Sequence, residues 1–318
     1  MVNFPHCGLY FTANQIAEAK KVARQEPFAA AWEVLHKPPQ PELIPSTVWN
    51  GLRYRFDDDK SAGTKAIDNL LHDPSLAALL DDHASYLDQI MMLVTWAQCF
   101  ELVRDHPEFT NHNQKIWLEA FIGQIERLNQ PDLTEPQPVE QIWLASLNLA
   151  AGVVMENDKL IQDSAAFYRL VTDREIRPEG YLPAAVEGKD GNSLLRLLLS
   201  IKGLVLMAEA AQHVGIDLWQ YNNRGVSIHT AGLYPLYYYF YPEKWQWNGT
   251  NPNTLDQPEV ERLFRLHGSF LELLNHHIGQ PTRAIDLILK ELRPVVDIWG
   301  GGIPSLSHGV AIRRGLFR

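Results

Sequence analysis

The chain has 318 residues, of which 46% are hydrophobic and 21% are charged. This composition is typical of a globular protein with a large core, and it excludes a mainly disordered chain. The formal net charge is -10 at pH 7, so a general affinity for nucleic acids or acidic membrane surfaces is not expected. The two cysteines, Cys7 and Cys99, are too few for a disulfide framework or a zinc-finger spacing.

The first 63 residues predict two short helices and a long loop. Thr12 is a suitable N-cap for the first helix, and Ala29–Leu35 form the second. Four prolines between residues 38 and 45 then exclude regular structure. Residues 46–63 are polar and aromatic, which indicates a long surface loop and a candidate lid.

The remaining chain is dominated by helical periodicity, without a useful alternating strand pattern or a βαβ rhythm. Helices are predicted over 64–80, 83–104, 110–129, 137–157, 158–174, 191–214, 223–240, 257–277 and 282–292. Short turns between such helices favour an antiparallel helical stack or a closed toroid in one domain, residues 1–318. No apolar run is long enough for a membrane span, and no signal-peptide pattern begins the sequence, so a cytoplasmic location is expected.

Several segments, in their order and spacing, resemble the alginate lyase family of polysaccharide lyases over nearly the whole chain. These segments are His6–Thr12, Ala29–Leu35, Glu179–Pro183, Leu204–Ala211, Gly215–Trp219, Tyr241–Trp247, Leu292–Pro294 and Gly300–Pro304. The resemblance implies an all-α, incomplete (α/α) toroid of about ten to twelve helices, whose lumen forms the substrate cleft.

The resemblance also implies β-elimination on a uronic-acid polymer. This reaction needs a group that neutralises the carboxylate, a base for the C5 proton and an acid for the departing 4-oxygen. Family members carry Asn-Asn-His on one helix, and an Arg and a Tyr about two turns apart near the start of another.

The sequence departs from that family pattern at each catalytic position. The Asn-Asn-His position falls on residues 144–146, which are Leu-Ala-Ser, and the nearest polar substitute is Asn148. The tyrosine position falls on Leu195 or Arg196, and the arginine position on residue 188 or Lys189. Lys189 remains able to neutralise an anion, so we expect a rearranged active site.

Arg196 stands out within a leucine-rich helix. Ser193, Arg196 and Ser200 recur at helical spacing and share one face. Because an unpaired buried arginine is prohibitively costly, Arg196 must meet a carboxylate, carbonyl oxygens or water. It is either a cleft cation for an anionic ligand or a member of a structural ion pair.

His229 precedes an aromatic run that begins at Tyr234, and in a toroid this segment can face the lumen. The ordinary pKa of histidine suits a general base, although a structural histidine is the alternative. Tyr234 is a candidate substrate-binding residue. The adjacent pair His276-His277 has diverging side chains, so neither a metal nor a cofactor is expected.

The predicted loop at 46–63 supplies the remaining candidates. Tyr54 is a possible replacement acid, and its neighbours Arg53 and Arg55 could bind a carboxylate bidentately. A solvated loop without a ligand is the alternative. Trp143 is a candidate sugar platform, with a core position as its alternative.

Three functions are therefore open. The first is a polysaccharide-lyase-like enzyme with a rearranged site, in which Lys189 or Arg196 neutralises the carboxylate and His229 or Tyr54 transfers protons. The second is a toroid enzyme acting on a small carboxylate-bearing metabolite in a biosynthetic pathway. The third is a pseudoenzyme that binds an acidic saccharide.

Overall fold

The computed structural model describes residues 6–38, 45–72, 85–130, 136–188, 191–247, 255–279, 282–297, 299 and 301–311. In these ranges the secondary structure is helical, and β-type pairing is limited to two isolated bridges, Asn223–Val226 and Asp297–Gly302. The all-α prediction is confirmed. None of the helices in the described ranges is both long and apolar enough to cross a bilayer.

Fifteen α-helices lie in the described part of the chain. In order they are α1 (Ala13–Lys21), α2 (Phe28–His36), α3 (Ser46–Asp57), α4 (Lys60–His72), α5 (Tyr86–Val103), α6 (Asn111–Leu128), α7 (Pro138–Val154), α8 (Asp158–Arg174), α9 (Pro183–Val186), α10 (Ser193–His213), α11 (Ile228–Phe240), α12 (Gln257–His267), α13 (Phe270–Ile278), α14 (Arg283–Leu292) and α15 (Pro304–Ser307). A 3₁₀ turn, Pro242–Lys244, follows α11.

Local sequence signals explain several helix ends. Thr12 caps α1 with a capping box that it shares with Gln15, as its residue type predicts. The single helix predicted over 257–277 is instead two helices, because α12 ends before Gly268 and α13 starts after Ser269. Glycine favours such an ending because it has no β-carbon and a low helix propensity.

The prediction of a long surface loop over 46–63 is wrong. This segment forms α3 and the start of α4, and the two helices pack against each other. Val48, Leu52 and Phe56 recur every four residues and are buried, so α3 is held by an apolar stripe. Asp58 ends α3 in the left-handed conformation, at φ 57°.

The helices pack in a ring, in agreement with the predicted toroid. Contacts run from α3 through α5 and α7 to α10, and α10 also packs against α8, α9, α11, α12 and α13. Because α10 is covered on nearly every side, most of its side chains are buried. The short helix α15 contacts α1, α2 and α13, so it joins the two ends of the chain.

Candidate functional site

An open cleft of about 620 Å³ lies beside the first half of α11. Its lining residues are Glu179, Gly225, Ser227, His229, Thr230, Leu233, Tyr234 and Tyr237. Ser227 and Thr230 form the capping box that starts α11. Thr230, Tyr234 and Tyr237 then follow at helical spacing, which directs their side chains to one face.

The turn before α9 forms the opposite edge of this cleft. Gly180 has a φ of 108° and approaches α11 so closely that a Cβ there would lie 2.5 Å from the carbonyl oxygen of Thr230. Only glycine combines this conformation with this approach. The turn thereby brings Glu179 to the cleft and places the Tyr181 ring 5.7 Å from the ring of Tyr234.

Tyr234 is the centre of a hydrogen-bonded chain. The indole N–H of Trp247 donates to the Tyr234 hydroxyl at 3.0 Å, and the hydroxyls of Tyr234 and Tyr238 are 3.1 Å apart. Burial, and then the hydrogen bond itself, raise the pKa of Tyr238. Tyr238 therefore keeps its proton at neutral pH, and either hydroxyl of this pair can donate to the other.

Aromatic rings surround these hydroxyls. The Trp247 ring lies 5.0 Å from Tyr181, and Tyr237 is 52% exposed at the cleft. Aromatic rings with a polar edge suit a partner that has both apolar and hydroxyl surfaces, as a sugar has. Sequence reasoning missed Tyr238 and Tyr181; the spacing of four residues between Tyr234 and Tyr238 was the available signal.

The start of α10 lies next to this aromatic cluster. Ser193 is fully buried, and its Oγ accepts a hydrogen bond from the indole of Trp245 at 2.9 Å. The Trp245 ring is in turn 4.8 Å from the Tyr238 ring. Arg196 follows Ser193 by one helical turn and is partly exposed. Its Nε donates to the carbonyl oxygen of Ala185 at 2.9 Å.

His229 lines the cleft, but its Nδ1 is covered by protein atoms and has no hydrogen-bond partner in the structure. Burial and the neighbouring His277 lower the pKa of His229, while a hydrogen bond to the backbone of Trp219 acts in the opposite direction. His229 is therefore neutral at pH 7. In this conformation the covered Nδ1 does not reach a ligand.

The residues predicted around Tyr54 lie on α3, among different partners. The Tyr54 hydroxyl donates to Asp105, and Arg55 donates to Asp105 and to backbone carbonyl oxygens. Arg53 pairs with Asp59 at 2.9 Å. In the described ranges no hydrogen bond or ring contact joins these three side chains to His229 or Tyr234.

Three other predicted residues have internal partners. Trp143 is fully buried and donates to the carbonyl oxygen of Leu199, so its prediction as a sugar platform is wrong. Ser200 is buried, and its hydroxyl donates to the backbone of its own helix. The amides of Asn148 and Asn129 bond each other reciprocally at 3.1 Å. Lys189 lies outside the described residues.

The charge at the cleft is carried by Glu179, and no lysine or arginine is among the described lining residues. An anionic ligand therefore needs a cation from the rim. Arg196 is the predicted cation that lies beside the aromatic cluster.

The ring of packed helices defines an α/α toroid, and the aromatic, hydroxyl-lined cleft lies beside one of its helices. The family model described as alginate lyase matches residues 79–245, which is more than half of the chain. The chain belongs to the alginate lyase family. A search of curated proteins found no match.

Solved structures of alginate lyases share the fold. Alginate lyase A1-III from Sphingomonas species A1 has a TM-score of 0.76 at 16% identity, over 96% of this chain and 97% of that one. A variant of alginate lyase A1-III complexed with a tetrasaccharide has a TM-score of 0.74 at 16% identity, with 96% of each chain covered. An alginate lyase from Bacteroides ovatus has a TM-score of 0.64 at 14% identity, over 97% of this chain and 99% of that one.

Proposed function

We propose that the chain is a polysaccharide-lyase-like enzyme that cleaves a uronic-acid-type saccharide by β-elimination, with Tyr234 in the reacting position of a rearranged site. The main support is the Tyr234 hydroxyl, which accepts a hydrogen bond from Trp247 and shares one with Tyr238 at the side of an open cleft. Family membership and the tetrasaccharide bound to a structural relative support a saccharide as the ligand.

The proposed chemistry transfers one proton through Tyr234. As a phenolate, Tyr234 takes the proton from the carbon next to the carboxylate. The electron pair left on that carbon forms a carbon–carbon double bond, and the bond to the departing oxygen breaks. The same hydroxyl then returns its proton to that oxygen, so Tyr234 ends as the phenolate again. Trp247 and Tyr238 are positioning residues, because their hydrogen bonds hold the Tyr234 hydroxyl in place at the cleft.

Arg196 is the proposed group that neutralises the substrate carboxylate, assisted by Lys189. A positive charge beside the carboxylate makes the neighbouring C–H more acidic, because the developing negative charge is delocalised onto the carboxylate oxygens. Glu179 opposes a polyanion at the cleft, so the affinity depends on these cations. We therefore expect Arg196→Gln to lower kcat, because the developing charge loses its cation, and also to raise KM.

This assignment departs from the expected roles of His229 and Tyr54 as base or acid. Tyr54 is engaged with Asp105 on α3, and the Nδ1 of His229 is covered. Tyr234, in contrast, lines the cleft, and its hydroxyl is hydrogen-bonded to Trp247 and Tyr238.

The direct test is Tyr234→Phe, which removes the hydroxyl and keeps the ring. Loss of a general acid–base group costs about 10²–10⁴-fold in rate. We expect kcat to fall by that factor on alginate, glucuronan or oligouronides, measured by the ultraviolet absorbance of the unsaturated product. The control is Tyr241→Phe, an exposed tyrosine at the end of α11, which should retain wild-type rates.

Equal rates in Tyr234→Phe and Tyr241→Phe would contradict the role of Tyr234. If the wild-type protein binds an oligouronide in calorimetry and yet releases no unsaturated product, the enzymatic proposal is wrong and a binding function replaces it.

A further inference from the structure

A buried carboxylate near the end of α10, Glu209, is surrounded by imidazoles. Oε2 of Glu209 lies 2.7 Å from Nε2 of His277, and Oε1 lies 2.9 Å from Nε2 of His308. Nε2 of His213 lies 3.3 Å from the same carboxylate. The three ligand atoms of Glu209, His277 and His308 all lie within 4.8 Å of one another.

The charge of this cluster favours a cation. Glu209 is 1% exposed, and its described side-chain partners are three histidines and the indole of Trp219. None of these partners carries a permanent positive charge. A buried carboxylate without a fixed counter-charge is costly, and a divalent cation would offset that cost.

The outer contacts of the cluster are those of a metal site. Metal-bound imidazoles usually have a hydrogen-bond partner on the other ring nitrogen. The Ser307 hydroxyl lies 2.8 Å from Nδ1 of His308 and can serve as that partner. The Trp219 ring stacks on His277 at 4.1 Å between centroids, and its N–H donates to Glu209, so both ligands have fixed orientations.

We propose that Glu209, His277 and His308 bind one divalent transition-metal ion of the zinc class. One carboxylate and two imidazoles are a donor set that zinc accepts, with a further position left for water or His213. Bonds of about 2.0–2.1 Å place tetrahedral ligand atoms roughly 3.3 Å apart. The hydrogen-bonded pairs at 2.7 and 2.9 Å therefore open slightly, and a pair near the 4.8 Å limit closes around the ion. The imidazoles bind as neutral tautomers protonated at Nδ1, and Nδ1–H of His308 then donates to Ser307.

The site would join distant parts of the chain. Glu209 lies on α10, His277 on α13, and His308 directly after α15, the helix that contacts α1 and α2. A bound ion therefore stabilises the closure of the ring, independently of whether the aromatic cleft is catalytic. The sequence alone does not reveal this site, because His277 and His308 follow Glu209 by 68 and 99 residues.

The experiment uses the full chain after removal of metals with a chelator. Zn²⁺ is added back, excess ion is removed by gel filtration, and the retained zinc is measured by mass spectrometry. Co²⁺ is added in a parallel sample, and its visible absorption reports the coordination. We expect one ion per chain, a tetrahedral Co²⁺ spectrum and a higher Tm.

Three variants decide the assignment. We expect His277→Ala to lose the ion and the gain in Tm. Ser307→Ala keeps all three ligands and should weaken binding by about 10–100-fold, the usual effect of removing an outer partner. His112→Ala removes an exposed histidine on α6 and should bind as the wild type does. No retained ion in the wild type, or equal retention in His277→Ala, would overturn the proposal.

Discussion

Lys202, like Arg196, is a charged residue in the leucine-rich helix α10. Lys202 is fully buried, and its Nζ lies 2.6 Å from Oδ1 of Asp297. Asp297 also accepts from the hydroxyl of Ser269 at 2.6 Å. Burial lowers the pKa of Lys202, and the attraction of Asp297 opposes that shift. The pair connects α10 to the segment after α14.

Removal of the lysine charge should therefore destabilise the protein strongly. Lys202→Met leaves Asp297 buried without its cation, which costs about 3–5 kcal/mol. The free energy of unfolding, measured by urea denaturation, checks this value. The control is Lys159→Met, since Lys159 and Asp163 form an exposed pair on α8 that contributes at most about 1 kcal/mol. Similar losses in the two variants would show that the buried pair has no special role.

Residue roles were harder to predict than residue positions. The sequence placed Tyr234 and His229 beside a cavity, and both line the cleft. The sequence could not show whether Trp143 and Ser193 line the cleft or lie in the core. Both are fully buried. The physical reason is that α10 and α7 are covered by other helices on several sides. In such helices a polar or aromatic face does not indicate exposure to solvent, since hydrogen bonds within the protein satisfy its polar groups.

At the scale of elements, periodicity predicted most of the long helices, but it missed α3 and the break between α12 and α13. The polar and aromatic residues of α3 suggested a loop, although Val48, Leu52 and Phe56 had helical spacing. The interactions that hold α3 are its contacts with α4 and α5, which a single sequence does not reveal. Tertiary packing thus overrode composition in this segment.

The contact between α3 and α5 can be tested at Gly51. A Cβ at this position would lie 2.9 Å from Cβ of Leu102, so Gly51→Ala forces the helices apart. We expect a loss of about 1–3 kcal/mol in the free energy of unfolding.

Gly123→Ala is the control, since Gly123 is exposed within α6 and a Cβ there meets no atom within 4 Å. Alanine has the better helix propensity, so this variant should gain roughly 0.5–1 kcal/mol. If Gly51→Ala were also stabilising, α3 would not approach α5 as closely as described.

At the scale of the whole molecule, the resemblance to a known family predicted the toroid better than the helix pattern alone. Periodicity predicts many helices joined by short turns, but both a stack and a ring satisfy that pattern. What closes the ring is a set of polar contacts between distant segments, including Glu209 with His308 and Lys202 with Asp297. These contacts contain titratable groups, so the stability of the whole ring depends on pH.

The clearest pH dependence comes from His267, at the end of α12. Burial, followed by the charge of Lys202, lowers the pKa of His267 from 6.5 to about 4, with Asp297 acting in the opposite direction and Arg262 in the same one. Its Nδ1 is buried without a hydrogen-bond partner in the structure. The folded protein therefore keeps His267 neutral at pH values where the unfolded chain protonates it.

Because the unfolded state binds more protons between pH 6.5 and 4, stability must fall as the pH falls through this window. From about pH 7.5 to about pH 5 the loss attributable to His267 is roughly 2 kcal/mol. Glu209 adds a loss at lower pH: burial raises its pKa, but its three histidine partners hold the pKa well below the usual range, so it favours the folded state only while ionised.

His267→Leu removes the titrating group and should flatten the dependence of the unfolding free energy on pH between about pH 7.5 and pH 5 by that amount. Urea denaturation at a series of pH values measures it. The variant and the wild type are compared by slope, because a packing change shifts the curve equally at all pH values. An unchanged slope in His267→Leu would mean that other groups cause the acid destabilisation of the ring.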